Sequence, residues 1–349
     1  MIYPGTGRRI NTTERRVNGT GQLTDGIDHR LSKTERRQHY GHEYHAEAHL
    51  LSGQLDRPIV QTIPHQARVS LRDWSGGHIY ERLQGYDLEG LVSFKSGYTR
   101  VSGYRSGERE HAFVTLATSV IEGLNIFDVL TADRVVAQVS TSHPEPKYGE
   151  TKKDDDLGHV PEVTFLGSQF TNLKIGGYKV KPILNPEICG ARPKGDVSYL
   201  FDGGFLGRAR EQATAIAKFN DEPNALKEQA EAFRLDYSKE VEDIDKLSSL
   251  ERRDDRHDHK LNCSLVQDIH FPKDIPGVKH INNVLYIRDF GIVTLGSVTV
   301  GRRNEPEEGD TEAHMSNYFE IKMFEMRLGC VGEGTLTAAS GSGNGRGKP

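Results

Sequence analysis

The sequence predicts a mainly β protein, a two-sheet sandwich or barrel-like body with an inserted α-helical segment. Three observations carry that expectation. From His45 to Leu184 the chain reads as short runs of β-branched and aromatic residues, such as PIVQTI, ARVSLR and HAFVTLATSVIEGL, separated by Gly, Pro, Asp and Asn. The turn signals recur roughly every 8 to 15 residues, too closely for alternating βα units. Between Phe205 and about Asp255 the apolar period changes to that of a helix, and from Asn262 the strand pattern returns.

The elements follow in order. Residues 1–44 hold Arg8, Arg9, Arg15, Arg16, Arg30, Lys33, Arg36 and Arg37 with few bulky apolar residues. They are expected to form a basic, flexible arm, because such a composition buries too little surface to fold alone. Residues 45–190 form the first β half. Residues 191–261 form the helical insertion: Leu206, Ala209, Ala213 and Ile216 mark one helix, and Leu226, Ala230, Phe233, Tyr237, Val241, Ile244 and Leu247 a longer stripe after the start signals Asp221, Pro223 and Asn224. Residues 262–338 form the second β half. There, Phe319, Ile321 and Met323 share one phase and Phe324, Met326 and Leu328 the other, a one-residue slip that predicts a bulge. Residues 339–349 read as a mobile Gly-rich tail.

The two β halves carry a weak internal repeat. FDVLTADRVVA (Phe127–Ala137) aligns with FGIVTLGSVTV (Phe290–Val300), and each copy is followed by an aromatic-rich strand running into glycine. The segments VIEGLNIFDVLTADRVVAQVSTSHP, VTFLGSQFTNLKIGGYKV and DFGIVTLGSVTV together resemble uncharacterised bacterial β-rich proteins. They are distantly similar to the choice-of-anchor P group of surface proteins. The resemblance implies a β fold and no particular chemistry.

Composition bounds the function. With a net charge of −5 over 349 residues, nothing in the overall balance argues for a nucleic-acid partner, so none is expected, and no apolar run is long enough to span a membrane. The first residues lack the apolar core of a secretion signal, so a cytoplasmic location is the default expectation, with a surface location left open. Cys189, Cys263 and Cys330 are too dispersed for a disulfide framework or a zinc knuckle and are read as buried small hydrophobes. Phosphate-loop, dinucleotide, zincin and hydrolase-elbow motifs do not occur.

The densest polar cluster is HYGHEYHAEAH. On a strand starting near Tyr44, His45, Glu47 and His49 project from one face, a donor set that suits a divalent transition metal such as Zn or Fe. His257 and His259, within RRDDRHDHKL, are the candidates to complete such a site. The competing reading for both groups is a solvated strand face and a solvated loop. Trp74, Tyr80 and Tyr86 pose a similar choice between a sugar-stacking platform and core packing. With no catalytic signature, the sequence reads as a non-enzymatic structural or interaction protein, self-assembling as a homo-oligomer. Partner contacts are expected through edge strands, helix 224–250 or arm 1–44. A metal-dependent enzyme is the alternative, and a carbohydrate-binding module the third reading.

Overall fold

The computed structural model describes residues 41–108, 111–145, 160–194, 197–250, 257–306, 313–329 and 333–348. The arm expected over residues 1–44 lies outside them except for its last four residues, which open the first strand; Cys330 also lies outside.

The chain begins with β1 (Gly41–Arg57), β2 (Gln61–Ile63) and β3 (Val69–Asp73). It continues through β4 (Gly77–Leu83), β5 (Tyr86–Leu88), β6 (Val92–Phe94), β7 (Ser96–Arg105), β8 (Phe113–Ile126) and β9 (Leu130–His143). Five short strands follow: β10 (Glu162–Thr164), β11 (Gln169–Thr171), β12 (Lys174–Ile175), β13 (Tyr178–Lys179) and β14 (Lys181–Leu184). Helices α1 (Gly203–Ala217) and α2 (Lys227–Ser249) precede β15 (His259–Ser264), β16 (Val266–His270), β17 (Val278–Ile281) and β18 (Val284–Ile287). Three long strands end the chain: β19 (Gly291–Pro306), β20 (Ala313–Leu328) and β21 (Glu333–Lys348).

The strands form two large sheets packed face to face, a sandwich and not a closed barrel. The front sheet runs β17-β18-β19-β20-β21-β1-β2, with β15 on β19 and β3 on β1. The back sheet is built around β9, β8 and β7, with β4 on the outside of β7 and the short strands β10 to β12 along β9. A small third sheet pairs β14 with β16. In β1 the even residues Tyr44, Ala46, Ala48 and Leu50 are buried toward the back sheet. The two layers are stitched by Ser119, whose hydroxyl donates to the His49 carbonyl at 2.9 Å, and by Thr99, which donates to the Ala67 carbonyl at 2.7 Å.

Each β half does not make its own sheet. Strands β1 to β3 cross into the sheet of the second half, so that β21 lies between β1 and β20. This also corrects the reading of residues 339–349 as a mobile tail. Gly341 to Lys348 pair in register with Ala48 to Gly41. Glycine lowers strand propensity because it has no side chain to pack, yet two neighbouring strands supply backbone partners that need no side chain.

The phase slip in β20 occurs at Met323 and Phe324, both fully buried. It is not an isolated bulge. Register with both neighbours is kept, since Lys322 pairs with Ser297 and Ser340 and Phe324 with Leu295 and Ala338. The adjacent strands slip together: Gly296, Met323, Ala339 and Leu50 form one line across the front sheet, each falling between two regular pairs. Gly296 (φ +61°) and Ala339 (φ +51°) adopt left-handed backbone there. The back sheet has the same crease. Asp133 lies between Gly123 (φ +65°) and Asn172 (φ +50°), and Asn172 Nδ2 donates to Asp133 Oδ2 at 2.6 Å. Asp133 and Gly296 are equivalent positions of the internal repeat, so the two copies turn their sheets at the same point.

The helical insertion seals one edge of the front sheet. Asp202 caps α1, accepting from the Phe205 N–H at 2.7 Å. The α2 stripe is buried at Leu226, Ala230, Phe233, Ile244 and Leu247, with Phe233 seated against Tyr286 and Leu226 and Ala230 in the same cluster as Val284 and Ile292. Burial of each large apolar side chain of this kind stabilises by roughly 1.5–3 kcal/mol. Of the two readings of such a stripe, packing on the chain's own sheet and a partner surface, these contacts are of the first kind. Along the outer edge of β15, Gln212 accepts from the Ser264 N–H (2.8 Å) and donates to the Ser264 carbonyl (3.1 Å), while Glu240 accepts from the Asn262 N–H at 2.5 Å and its Nδ2 at 3.0 Å. No helix of the described residues is long and apolar enough to cross a membrane.

Candidate functional site

Strand alternation places His45, Glu47 and His49 on one face, the outer face of the front sheet, as their period-two spacing predicts. Their partners are fixed by β3 beside them. Arg68 grips Glu47 with two hydrogen bonds, Nε to Oε1 at 2.7 Å and a terminal guanidinium nitrogen to Oε2 at 3.0 Å. Arg72 Nε donates to Glu43 Oε1 at 3.0 Å, so two ion pairs tie β3 and the residue before it to β1. Burial by itself would raise the Glu47 carboxyl, but the Arg68 hydrogen bonds and charge hold it below the usual carboxylate range. His49 is buried, its ring edge-on to His65 with centroids 4.4 Å apart and Nε2 3.3 Å from Ser52 Oγ. Burial, with His65 second, lowers its imidazole to about 4.

His257 and His259 are not brought to this group. His259 opens β15 opposite Arg302, in phase with the inward-facing Leu261 and Cys263, whereas His45, Glu47 and His49 face outward. Four strand spacings separate β15 from β1, about 19 Å. Among the described residues, no three His, Cys, Asp or Glu side chains are grouped so as to hold a metal ion. Cys189 and Cys263 are both buried, as expected. Burial pushes the Cys189 thiol up to about 12 and the Cys263 thiol well above its ordinary value, which makes both poor nucleophiles.

The sequence reading passed over His42, the one member of the histidine cluster in phase with Tyr44 and Ala46. It points inward and is 2% exposed. Its ring stacks on Phe113 (centroids 4.6 Å, planes 9° apart) and lies 4.7 Å from His143. Nε2 is buried with no hydrogen-bond partner among the described residues, and burial lowers the imidazole to about 4. Period-two alternation carried back from Tyr44 was the available signal.

The aromatic candidates divide. Tyr86 is half-buried and stacked on Phe94, with centroids 5.6 Å apart, so core packing describes it. Trp74 and Tyr80 are 43% and 42% exposed. Tyr80 lies on β4, the outer strand of the back sheet, where it meets Tyr98 of β7 with ring centroids 5.7 Å apart. Nothing near Tyr80 in the sequence points to Tyr98; strand pairing unites them. Among the described residues strand β4 pairs with β7 alone, and its residues Gly77 to Tyr80 are all exposed.

A family model, Domain of unknown function (DUF8256), matches residues 42–301, from the second residue of β1 into β19. The chain belongs to this family. No curated protein and no solved structure matches it.

Proposed function

We propose that this member of the DUF8256 family is a non-enzymatic structural or interaction protein that assembles with copies of itself through β4. The observation that carries the reading is the contrast between the two sheet edges. At β15, side chains from both helices take up the Asn262 N–H and the Ser264 N–H and carbonyl. At β4, a strand of seven residues whose strand partner among the described residues is β7, Gly77 to Tyr80 are all exposed. An open edge of that length is a template for another strand, and antiparallel pairing of two β4 strands about a two-fold axis would join the back sheets of two copies. The enzymatic alternative built on His45, Glu47 and His49 has less support, because Glu47 is already held by Arg68 on both oxygens.

Light scattering across a dilution series tests the proposal. A mass that rises from monomer to dimer with concentration, and stays monomeric in Ile79→Lys, supports it. A single monomer mass at every concentration, or an unchanged dimer in Ile79→Lys, contradicts it.

A further inference from the structure

The helices lie on the front sheet, and the outer face of the back sheet is left open at β4 and β7, where His78, Tyr80, Arg82, Arg100 and Tyr104 are exposed. Strand pairing sets these side chains in a checkerboard. Tyr80 stands opposite Arg100 and Arg82 opposite Tyr98, so each ring has a guanidinium across the ladder and the other ring on the diagonal. The Tyr80 and Tyr98 planes are 33° apart. His78 and Ser102 share the face, and Tyr104, 52% exposed, continues it along β7. From Tyr98 to Tyr104 is about 20 Å of strand. Arg68 and Arg72 are each neutralised by a carboxylate on the front sheet, whereas neither Arg82 nor Arg100 pairs with a carboxylate among the described residues. The closest acid on this face along β8, Glu122, sits opposite Arg134 and accepts from Ser96.

Free guanidiniums interleaved with exposed rings match a polyanion that carries flat bases. The rings stack on bases, and the cations track phosphates. A neutral glycan would leave both arginines without a counter-charge, and an acidic peptide would leave the rings without a stacking partner. We propose that this checkerboard binds single-stranded nucleic acid without sequence selectivity. The overall charge of −5 does not oppose this, because charges beyond about 8–10 Å are screened at physiological salt and the local patch decides. The inference is separate from edge pairing, which would extend the sheet and leave this face open. It holds equally for a monomer.

Fluorescence anisotropy of a labelled oligothymidine with the full chain, at about 50 mM salt, tests it. Saturable binding is expected, weakening with salt at a logarithmic slope of roughly −1.4 for two phosphate contacts. Tyr80→Ala and Tyr98→Ala should each weaken binding roughly tenfold, and Tyr80→Phe should retain it. Arg82→Glu/Arg100→Glu, at exposed positions, should abolish binding while leaving the thermal midpoint unchanged. No binding by the wild-type chain, equal binding by the double arginine variant, or tighter binding of polygalacturonate or a neutral glycan would overturn the proposal.

Discussion

The rings of Phe127 and Phe290 meet edge to face, with centroids 6.2 Å apart. They are the first residues of the two aligned copies, FDVLTADRVVA and FGIVTLGSVTV. Each ring stands at a turn that leads into a central strand, β9 in the back sheet and β19 in the front sheet, and six residues later both sheets crease, at Asp133 and at Gly296. The repeat thus has a structural meaning: two related strand-turn-strand units face each other, one in each layer, and their starting aromatics pack together.

The crease predicts a backbone-specific cost. Gly296 has φ +61°, and a Cβ added there would lie 3.0 Å from Val266 Cγ2. Gly296→Ala is expected to lose about 1–2 kcal/mol, from left-handed strain and crowding together. Urea unfolding measures it. A midpoint equal to wild type would show that the crease does not need the left-handed backbone.

Acid sensitivity follows from His42 and His49. Both imidazoles fall to about 4 in the folded chain, against 6.5 when exposed. Below pH 6.5 the unfolded chain takes up protons that the folded chain refuses, so stability drops as pH falls from about 6.5 to 4, by up to about 3 kcal/mol per residue, and is fully present above that window. His42→Phe, which keeps the ring stacked on Phe113, should remove its share of the slope. Denaturant titrations at several pH values check this.

Glu240 takes two hydrogen bonds from Asn262, and burial raises its carboxyl above the usual range. Removing it strands a part-buried edge N–H. Glu240→Ala should cost about 1–3 kcal/mol, and Glu240→Gln, still an acceptor and uncharged, clearly less. Equal losses in the two variants would mean that the carboxylate charge, not the acceptor, holds the edge.

The outward histidine face is expected to act as strand fastening and not as a metal centre. Protein purified without an affinity tag should show the same thermal midpoint with and without a chelator, and His49→Ala should leave metal content unchanged. A midpoint that falls on chelation and is restored by Zn or Fe would revive the metal reading.

Much of the fold was legible because alternation and helical period are local. The inward phase of Tyr44, Ala46 and Ala48, the α1 and α2 stripes and the slip after Met323 are all visible in the letters. Partners are not. The slip in β20 reads as a bulge until Gly296 and Ala339 are seen to slip beside it, and the glycine-rich end reads as a tail until β1 and β20 are placed on either side. The pairing of Tyr80 with Arg100 and of Arg82 with Tyr98 is of the same kind, since only the register between β4 and β7 makes four dispersed residues one surface.

Hydrogen exchange of the β4 amides, Gly77 to Leu83, at low and high protein concentration tests the edge-pairing account most directly. Protection that rises with concentration in β4, while that of the sealed edge at Asn262 and Ser264 stays constant, is the predicted result. Protection of β4 that is the same at both concentrations would contradict it.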